Sequence, residues 1–356
     1  MRVALIGPPQ SGKTTLFAAV AEAGGSHVDI HRPDQPHLAV VKVPDERVDW
    51  LAEKYQPRKT VYAELEFLDL PGLDLRDAAG RTRARQHGPE MRQSAMLLLV
   101  LRAFQDATVP AYRDRVDPAA DAGELVTEML FSDLEQVTNR IEKLEAAVRK
   151  PTPKLAGNER ELELMQRLRE TLEAERPIAE AVKTEAEDKL VRSFAFLSLK
   201  PALAVLNSGE DALGEPVPEL PAGLSGMRLS AKIEEEIAEL EPEERAEFLA
   251  DLGVAASARD VLVRACYERM KLVSFLTYGE DECRAWTVPA DTDAVTAAGE
   301  IHSDIARGFI RAETVAFDDL KAAGDMKAAK AAGKVRLEGK NYIVQDGDVI
   351  TFRFNV

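Results

Sequence analysis

Hydrophobic positions in the first third of the chain alternate between short apolar runs and a helical spacing. Apolar runs of strand length occupy residues 2–6, 38–43, 61–70 and 97–101. The last run is continuously apolar, as expected of a parallel strand buried on both faces. Residues 14–22 have a helical pattern. Strands alternating with helices predict an α/β sheet over residues 1–118.

A long helical pattern follows over residues 119–198. Apolar side chains recur there at spacings of three and four, at Leu130, Leu134, Val137, Ile141, Leu144 and Val148. Prolines at 151 and 153 interrupt the pattern, and a second apolar face contains Leu162, Met165, Leu168 and Leu172. We predict an antiparallel helical hairpin. Its apolar face either packs the two helices together or also docks a partner.

The strand pattern returns at residues 202–206, so the hairpin is predicted to be an insertion. Residues 231–249 form an acidic helical stretch, and a further helix is expected over 256–272. Mixed patterns then end in Asp346-Gly347, a turn leading into a last strand. The predicted organisation is therefore a discontinuous α/β domain of residues 1–118 and 199–274, a helical insertion of residues 119–198, and a small α+β domain of residues 275–356.

Composition removes several classes of protein. The 356 residues carry a net charge of −16, which argues against a basic nucleic-acid footprint over the whole chain. The longest apolar run, Met96 to Leu101, is too short to span a membrane, and the first residues do not have the pattern of a signal peptide. Cys266 and Cys283 are the two cysteines. Their spacing suits neither a disulfide framework nor zinc, so we expect a cytoplasmic protein without a membrane partner.

The strongest chemical signal is a complete GxxxxGK[ST] phosphate loop between a predicted strand and a predicted helix. Backbone N–H groups of such a loop bind phosphate oxygens, and the following helix directs its positive N-terminus at the same anion. In this pattern Lys13 contacts the β- and γ-phosphates, and the Thr14 hydroxyl is a ligand of Mg²⁺. The predicted nucleotide-binding residues of the loop are Gly7, Pro8, Pro9, Gln10, Ser11, Gly12, Lys13, Thr14 and Thr15.

Three further segments have the order found in nucleotide-binding switch proteins. Asp69-Leu70-Pro71-Gly72 follows a predicted strand and supplies a DxxG motif, with Asp69 as second metal carboxylate and Gly72 as γ-phosphate sensor. Asn207-Ser208-Gly209-Glu210 stands where many GTPases have NKxD, and its longer carboxylate weakens the case for guanine. Ser230-Ala231-Lys232 stands where an SAK loop supports the base. Alternatively, the Asn207 segment is an ordinary loop. The predicted catalytic residues are Lys13, Asp69 and Gly72.

This order of motifs resembles the YchF/Obg-like ATPase family, within the Obg group of translation-factor GTPases. The resemblance covers nearly the whole chain and includes Val43-Pro44-Asp45-Glu46-Arg47, Arg284-Ala285-Trp286-Thr287 and Asp346-Gly347-Asp348. It implies a P-loop G domain, a coiled-coil insertion and a C-terminal TGS domain of β-grasp fold. It also implies ATP in place of GTP, and a ribosome or ribosomal RNA partner bound through the hairpin and the TGS domain.

The chain departs from that family in its switch segments. A glycine-rich segment normally follows DxxG, but here Gly80 alone is kept among several arginines. The threonine that normally faces Mg²⁺ falls on Pro33, which offers neither a hydroxyl nor an N–H group. Leu73 follows the DxxG motif, so the water-positioning glutamine of Ras-like enzymes is absent. The segment from Arg102 to Pro118 contains no histidine to replace that glutamine.

Three functions therefore compete. The first is a slow Mg²⁺-dependent ATPase in which Asn207 and Glu210 face the base. The second is a nucleotide-gated binding module with negligible turnover, and the third is a scaffold whose loop is structural. GTP in place of ATP is a further alternative. We expect a monomer.

Overall fold

The computed structural model describes residues 1–22, 34–149, 155–240, 244–245 and 257–355. Contacts divide the chain into two units. The first unit comprises Met1–Ala39 and Glu66–Ala258, and the second comprises Val40–Leu65 and Arg259–Val356. Residues 40–65, which the sequence pattern groups with the first domain, thus cluster with the second unit.

The elements are numbered in chain order. The strands are β1 (Arg2–Ile6), β2 (His37–Lys42), β3 (Lys59–Val61), β4 (Glu64–Asp69), β5 (Met96–Ala103), β6 (Ala202–Ser208), β7 (Ser225–Leu229), β8 (Leu272–Thr277), β9 (Glu282–Pro289), β10 (Phe309–Ala316), β11 (Arg336–Glu338) and β12 (Asp348–Phe354). The α-helices include α1 (Lys13–Glu22), α2 (Glu46–Tyr55), α3 (Ala78–Arg85), α4 (Gly88–Gln93), α5 (Pro118–Val148), α6 (Leu155–Glu173), α7 (Glu185–Arg192), α8 (Ala231–Glu239), α9 (Ala258–Arg269), α10 (Ala294–Ile301), α11 (Ser303–Arg307), α12 (Phe317–Ala323) and α13 (Met326–Ala331). Short 3₁₀ turns occur at Tyr112–Asp114, Ile178–Ala181, Leu197–Leu199 and Glu210–Ala212.

The first sheet has the strand order β2-β4-β1-β5-β6-β7. The β1 strand is parallel to β4 and β5, and β6 is parallel to β5 and β7. Residues Met96 to Leu101 of β5 are fully buried, which explains their continuous apolar run. Because these strands are parallel, the carboxyl ends of β1, β4, β6 and β7 lie at one edge of the sheet, which is the usual ligand-binding edge of such folds. The predicted α/β fold is confirmed.

The apolar run over residues 61–70 is two strands. The β3 strand pairs with β9 in the register Lys59↔Glu282, whereas β4 pairs with β1 in the register Arg2↔Glu66. The prediction of one strand is wrong here. A run of apolar residues does not specify which partner each half will pair with, and the two halves join different sheets.

The helical hairpin is confirmed. The α5 helix begins after Asp117, whose carboxylate accepts a hydrogen bond from the Ala120 N–H, and has Pro118 in its first turn. The interruption at residues 150–154 lies outside the described residues. Side chains of α5 and α6 share one hydrophobic cluster, which includes Val137, Ile141, Leu144, Leu164, Met165, Leu168 and Leu172. The apolar face therefore packs the two helices together.

The second unit contains a mixed sheet of order β11-β10-β12-β8-β9-β3. The β8 and β9 strands form an antiparallel hairpin, and β12 runs parallel to β8. The α10 helix contributes Ala294, Ala297 and Ala298 to a core that also contains Phe275 and Ile350. A mixed sheet with a helix packed against it fits the predicted β-grasp arrangement. Gly347 has a φ of +82°, which fits the predicted turn before β12.

The acidic stretch predicted over residues 231–249 begins as α8, and most of its remainder lies outside the described residues. The α9 helix confirms the helix predicted over residues 256–272. None of the helices in the described part of the chain has both the length and the apolar character needed to cross a bilayer.

Candidate functional site

The phosphate loop joins β1 to α1. Gln10 has a φ of +61° and Gly12 a φ of +81°, so the backbone adopts left-handed conformations twice within the loop. A Cβ atom at Gly12 would overlap the amide nitrogen of Asn207. At Gly7, a Cβ atom would overlap the carbonyl oxygen of Val100. Glycine is therefore required at both positions, by backbone conformation at Gly12 and by close packing at Gly7.

A cavity of about 480 Å³ lies against this loop. Its lining consists of Pro8, Pro9, Gln10, Ser11, Gly12, Lys13, Thr14, Thr15, Asp34, Pro71 and Gly72. Predicted residues from two remote segments thus face one cavity. Its volume lies within the range of small-ligand sites.

Lys13, Thr14 and Asp69 form one cluster. Lys13 Nζ pairs with Asp69 Oδ1, and Thr14 Oγ1 donates a hydrogen bond to Asp69 Oδ2 at 2.8 Å. Burial lowers the pKa of Lys13, and the adjacent Asp69 carboxylate partly offsets that effect. A buried cation at the N-terminus of α1 can hold an anion in a site of low polarity.

The oxygen atoms of this cluster fit Mg²⁺. Thr14 Oγ1 and Asp69 Oδ2 are hard donors lying 2.8 Å apart, and Mg²⁺ is usually held by one or two protein oxygens together with water and substrate phosphates. Within the described residues, no group of three His, Cys, Asp or Glu side chains suits a metal held by protein alone. The donor set therefore suits a metal that is shared with a phosphate ligand.

The DxxG segment is fixed directly to the loop. A Cβ atom at Gly72 would lie 3.0 Å from the Cα atom of Pro9, and the Leu73 N–H donates to the Gly7 carbonyl at 2.9 Å. Leu73 itself is buried. The residue after the DxxG motif is therefore an apolar core side chain and offers no group that could orient a water molecule.

Asn207 braces the loop through both ends of its amide. Its Nδ2 donates to the Ser11 carbonyl at 3.0 Å, and its Oδ1 accepts from the Ala231 N–H at 2.9 Å. Ser230 caps α8, since its hydroxyl accepts from the Ile233 N–H. Asn207 thus connects the Ser230-Ala231 segment to the phosphate loop. Contact between Asn207 and a base stays a prediction.

Glu210 and Lys232 have different surroundings. Both are exposed, and neither belongs to the described lining of the cavity. Lys232 Nζ lies 3.9 Å from the carboxylate of Glu236 on its own helix. Their predicted roles at the base therefore stay predictions.

Besides Asp34 of the cavity lining, two residues near the site escaped the sequence reasoning. Arg228, on β7, donates to the Ser208 hydroxyl at 2.9 Å and lies 3.3 Å from the Glu215 carboxylate. His37, the first residue of β2, lies with its Nδ1 3.8 Å from Asp69 Oδ2. No motif marks either residue, because each reaches the site through strand pairing.

The switch segments that depart from the family pattern are partly visible. Pro33 lies outside the described residues. Gly80 is buried in α3, where a Cβ atom would overlap the Asp74 carbonyl oxygen. Arginines of this segment are paired: Arg76 with Asp74 at 2.7 Å and Arg85 with Glu128 at 2.7 Å. These carboxylates reduce the positive charge of the segment.

A parallel sheet with a glycine-dependent phosphate loop between its first strand and first helix defines the class, a P-loop NTPase of the G-domain type. The chain is 40% identical, over 99% of its length and 98% of the relative's, to a ribosome-binding ATPase YchF of Bacillus subtilis. It is 34% identical, with the same coverage, to a ribosome-binding ATPase YchF of Escherichia coli O157:H7. The chain belongs to the YchF family.

Further comparisons agree with that membership. A family model named YchF-GTPase_C, described as a protein of unknown function (DUF933), matches residues 272–355. A solved structure of the Schizosaccharomyces pombe YchF GTPase matches with a TM-score of 0.84 at 27% identity, over 99% of this chain and 97% of that one. A GTP-binding protein of Pyrococcus horikoshii shares the fold with a TM-score of 0.60 at 16% identity, over 100% of both chains.

Proposed function

We propose that this protein binds a purine nucleotide with Mg²⁺, prefers ATP to GTP, hydrolyses it slowly, and acts as a switch on the ribosome. The observation that carries the proposal is that the glycine-dependent loop, the buried Lys13 and Thr14 line one cavity, and that Thr14 Oγ1 is hydrogen-bonded to the Asp69 carboxylate. Lys13 would hold the β- and γ-phosphates, and Thr14 and Asp69 would hold Mg²⁺. The metal would neutralise charge that develops on the phosphates.

The preference for ATP rests on the segment after β6. Guanine is best recognised by a carboxylate that accepts hydrogen bonds from two N–H groups, and the short aspartate of NKxD is replaced here by Glu210. Arg228 holds the neighbouring Ser208 in place. Lys232, Ser230 and Ala231 are proposed to support the base from the other side. Stronger binding of GTP than of ATP would contradict this preference.

A nucleotide-gated binder with negligible turnover is the second candidate. Leu73 favours it, because a buried leucine at this position cannot orient an attacking water molecule. In this alternative Gly72 would still sense the γ-phosphate through its closeness to Pro9. Turnover measured on a sample that binds ATP distinguishes the two candidates.

The decisive test is a calorimetric titration of nucleotide-free protein with ATP and with GTP in Mg²⁺, with phosphate release followed on the same sample. We expect ATP to bind more tightly than GTP, and Lys13→Ala to weaken ATP binding at least a hundredfold, because the buried cation is lost. Lys189→Ala, on the exposed face of α7, is the matched control and should bind as the parent protein does. Unchanged ATP affinity in Lys13→Ala would refute the proposal.

The partner is proposed from the relatives, which are named ribosome-binding ATPases. We assign the contact to the helical insertion of residues 119–198 and to the C-terminal domain of residues 275–356. Such a partner would place the protein in the cytoplasm. Sedimentation with purified ribosomes in the presence of ATP, ADP or no nucleotide tests this role. Identical sedimentation in all three conditions would argue against a switch.

A further inference from the structure

A histidine lies beside the metal-binding carboxylate. His37 is largely buried, with a side chain 10% exposed, and its Nδ1 lies 3.8 Å from Asp69 Oδ2. Thr14 Oγ1 contacts that same carboxylate oxygen. The imidazole therefore faces the atom that the proposed function assigns to Mg²⁺, although no sequence motif includes this residue.

The position of the His37 ring is set by its strand and by one aromatic neighbour. His37 begins β2, a strand of the first sheet, and its ring packs against that of Phe17 with centroids 6.3 Å apart. Phe17 is fully buried on α1, the helix that also carries Lys13 and Thr14. The element that presents the phosphate-binding residues thus also orients the imidazole.

The nitrogen that faces Asp69 is unsatisfied. Within the described part of the chain, His37 Nδ1 is buried and has no hydrogen-bond partner. A buried polar atom without a hydrogen-bond partner is energetically unfavourable. The nearest group able to satisfy it is the Asp69 carboxylate, whose Oδ2 would become a normal acceptor if the two atoms approached by less than 1 Å.

Three groups converge on Asp69, and two of them have other tasks. Lys13 is assigned to phosphate and Thr14 to metal, so both are shared with the ligand. Of the three, His37 alone is free to hold the carboxylate throughout. Outer-shell contacts of this kind orient metal ligands, and losing one typically lowers metal affinity by 10- to 100-fold.

We propose that His37 is a positioning residue for the Asp69 carboxylate, and that it sets how strongly Mg²⁺ assists nucleotide binding. Its Nδ1–H donates to Oδ2 and keeps the carboxylate turned toward Thr14. This inference rests on the proposed function, because it concerns the same metal. It predicts an effect on the Mg²⁺-dependent part of nucleotide affinity and none on the phosphate contacts of the loop.

The test compares ATP affinity in Mg²⁺ with ATP affinity in EDTA, by calorimetry on the full chain. The ratio of the two affinities is the readout, and it requires no turnover. His37→Leu keeps the bulk and removes the donor, whereas His37→Asn keeps an amide close to the position of Nδ1. We expect His37→Leu to lower the ratio about tenfold, with affinity in EDTA unchanged within twofold. His37→Asn should restore most of the ratio.

Other outcomes overturn the inference in distinguishable ways. Equal losses in Mg²⁺ and in EDTA would mean that His37 only supports the fold of the loop, and an unchanged ratio would mean that it does not act on the metal. Should His37→Leu fail to fold, His37→Gln replaces it, since its longer side chain cannot restore the Nδ1 contact. If the parent protein binds neither ATP nor GTP, the proposed function itself has failed.

Discussion

At the scale of single residues, glycine and asparagine determine the shape of the phosphate loop. Gly12 adopts a φ of +81°, and Asn207 lies where a side chain at position 12 would project. The Asn207 amide then bonds to the backbone of Ser11 and Ala231. Close packing at Gly12 and the bracing by Asn207 are therefore two parts of one arrangement.

A second residue-scale feature is the buried carboxyl of Asp121, in the first turn of α5. It is 1% exposed, and its Oδ1 has no hydrogen bond in the described structure. Arg115 Nη1 forms an ion pair with that atom at 3.1 Å. Burial raises the pKa of Asp121 to about 6. Arg115 lowers that pKa, and Glu124 raises it.

We predict that Asp121→Asn stabilises the protein near neutral pH. A folded-state pKa of about 6, above the ordinary range of an aspartate, means that the folded protein favours the protonated carboxyl. Below the pKa of Asp121 in the unfolded state, the carboxyl is protonated in both states and does not change the free energy of unfolding. As the pH rises toward the folded-state pKa, the free energy of unfolding falls, and above that pKa the loss stays constant. In thermal unfolding between pH 4 and 8, the melting temperature of the variant should rise relative to that of the parent protein as the pH increases.

The exposed Glu145→Gln change, on the same helix, is the control and should show no such trend. A melting-temperature difference between Asp121→Asn and the parent protein that does not vary with pH would contradict the prediction.

At the scale of elements, one aspartate ties the helical insertion to its surroundings. Asp133 of α5 is fully buried, and its carboxylate accepts hydrogen bonds from the N–H groups of Leu197 and Ser198 at 2.9 and 2.8 Å. Arg92 of α4 pairs with it at 2.8 Å. The carboxylate thus joins three separate elements.

We predict that Asp133→Ala lowers the free energy of unfolding by about 3–5 kcal/mol, the cost of removing one partner of a buried ion pair. Arg92 and the N–H groups of Leu197 and Ser198 would lose their acceptor. Urea unfolding followed by circular dichroism measures the change, with Asp188→Ala on α7 as the more exposed control. A loss below about 1 kcal/mol would show that these groups find other partners.

At the scale of the whole molecule, the second unit is assembled from two remote segments of the chain. Arg47 of α2 pairs with Asp45 and with Asp346, the latter at 2.7 Å. Asp346 also accepts from the Ser274 N–H at 2.8 Å. Residues 299 positions apart are therefore held together by charge-assisted bonds just before β12.

We predict that Asp346→Ala lowers the free energy of unfolding by about 1–3 kcal/mol, since it removes the charged acceptor of hydrogen bonds from Arg47 and Ser274. Asp318→Ala, an exposed aspartate in the same unit, should change it by less than about 0.5 kcal/mol. Thermal unfolding of the full chain checks both variants. Equal effects of the two changes would contradict the proposed importance of the Arg47–Asp346 pair.

Local sequence patterns determined the phosphate loop and several of the helices and strands of this protein. The phosphate loop, the buried strand β5 and the apolar face of α5 are each specified within a few turns of chain, because backbone conformation, burial on two faces and helical spacing are local properties. The sequence also placed Asp69 with Lys13 and Thr14, because loop and strand end recur together in this class of fold.

Strand pairing and the long-range side-chain contacts were decided by the tertiary structure alone. The division of residues 61–70 between two sheets depends on which strands are available as partners, and pairing preferences are not local. The closeness of His37 to Asp69, the internal use of the Asn207 amide and the joining of Arg47 to Asp346 are contacts across long stretches of sequence. Such contacts form only when the sheets assemble, so residue spacing along the chain does not encode them.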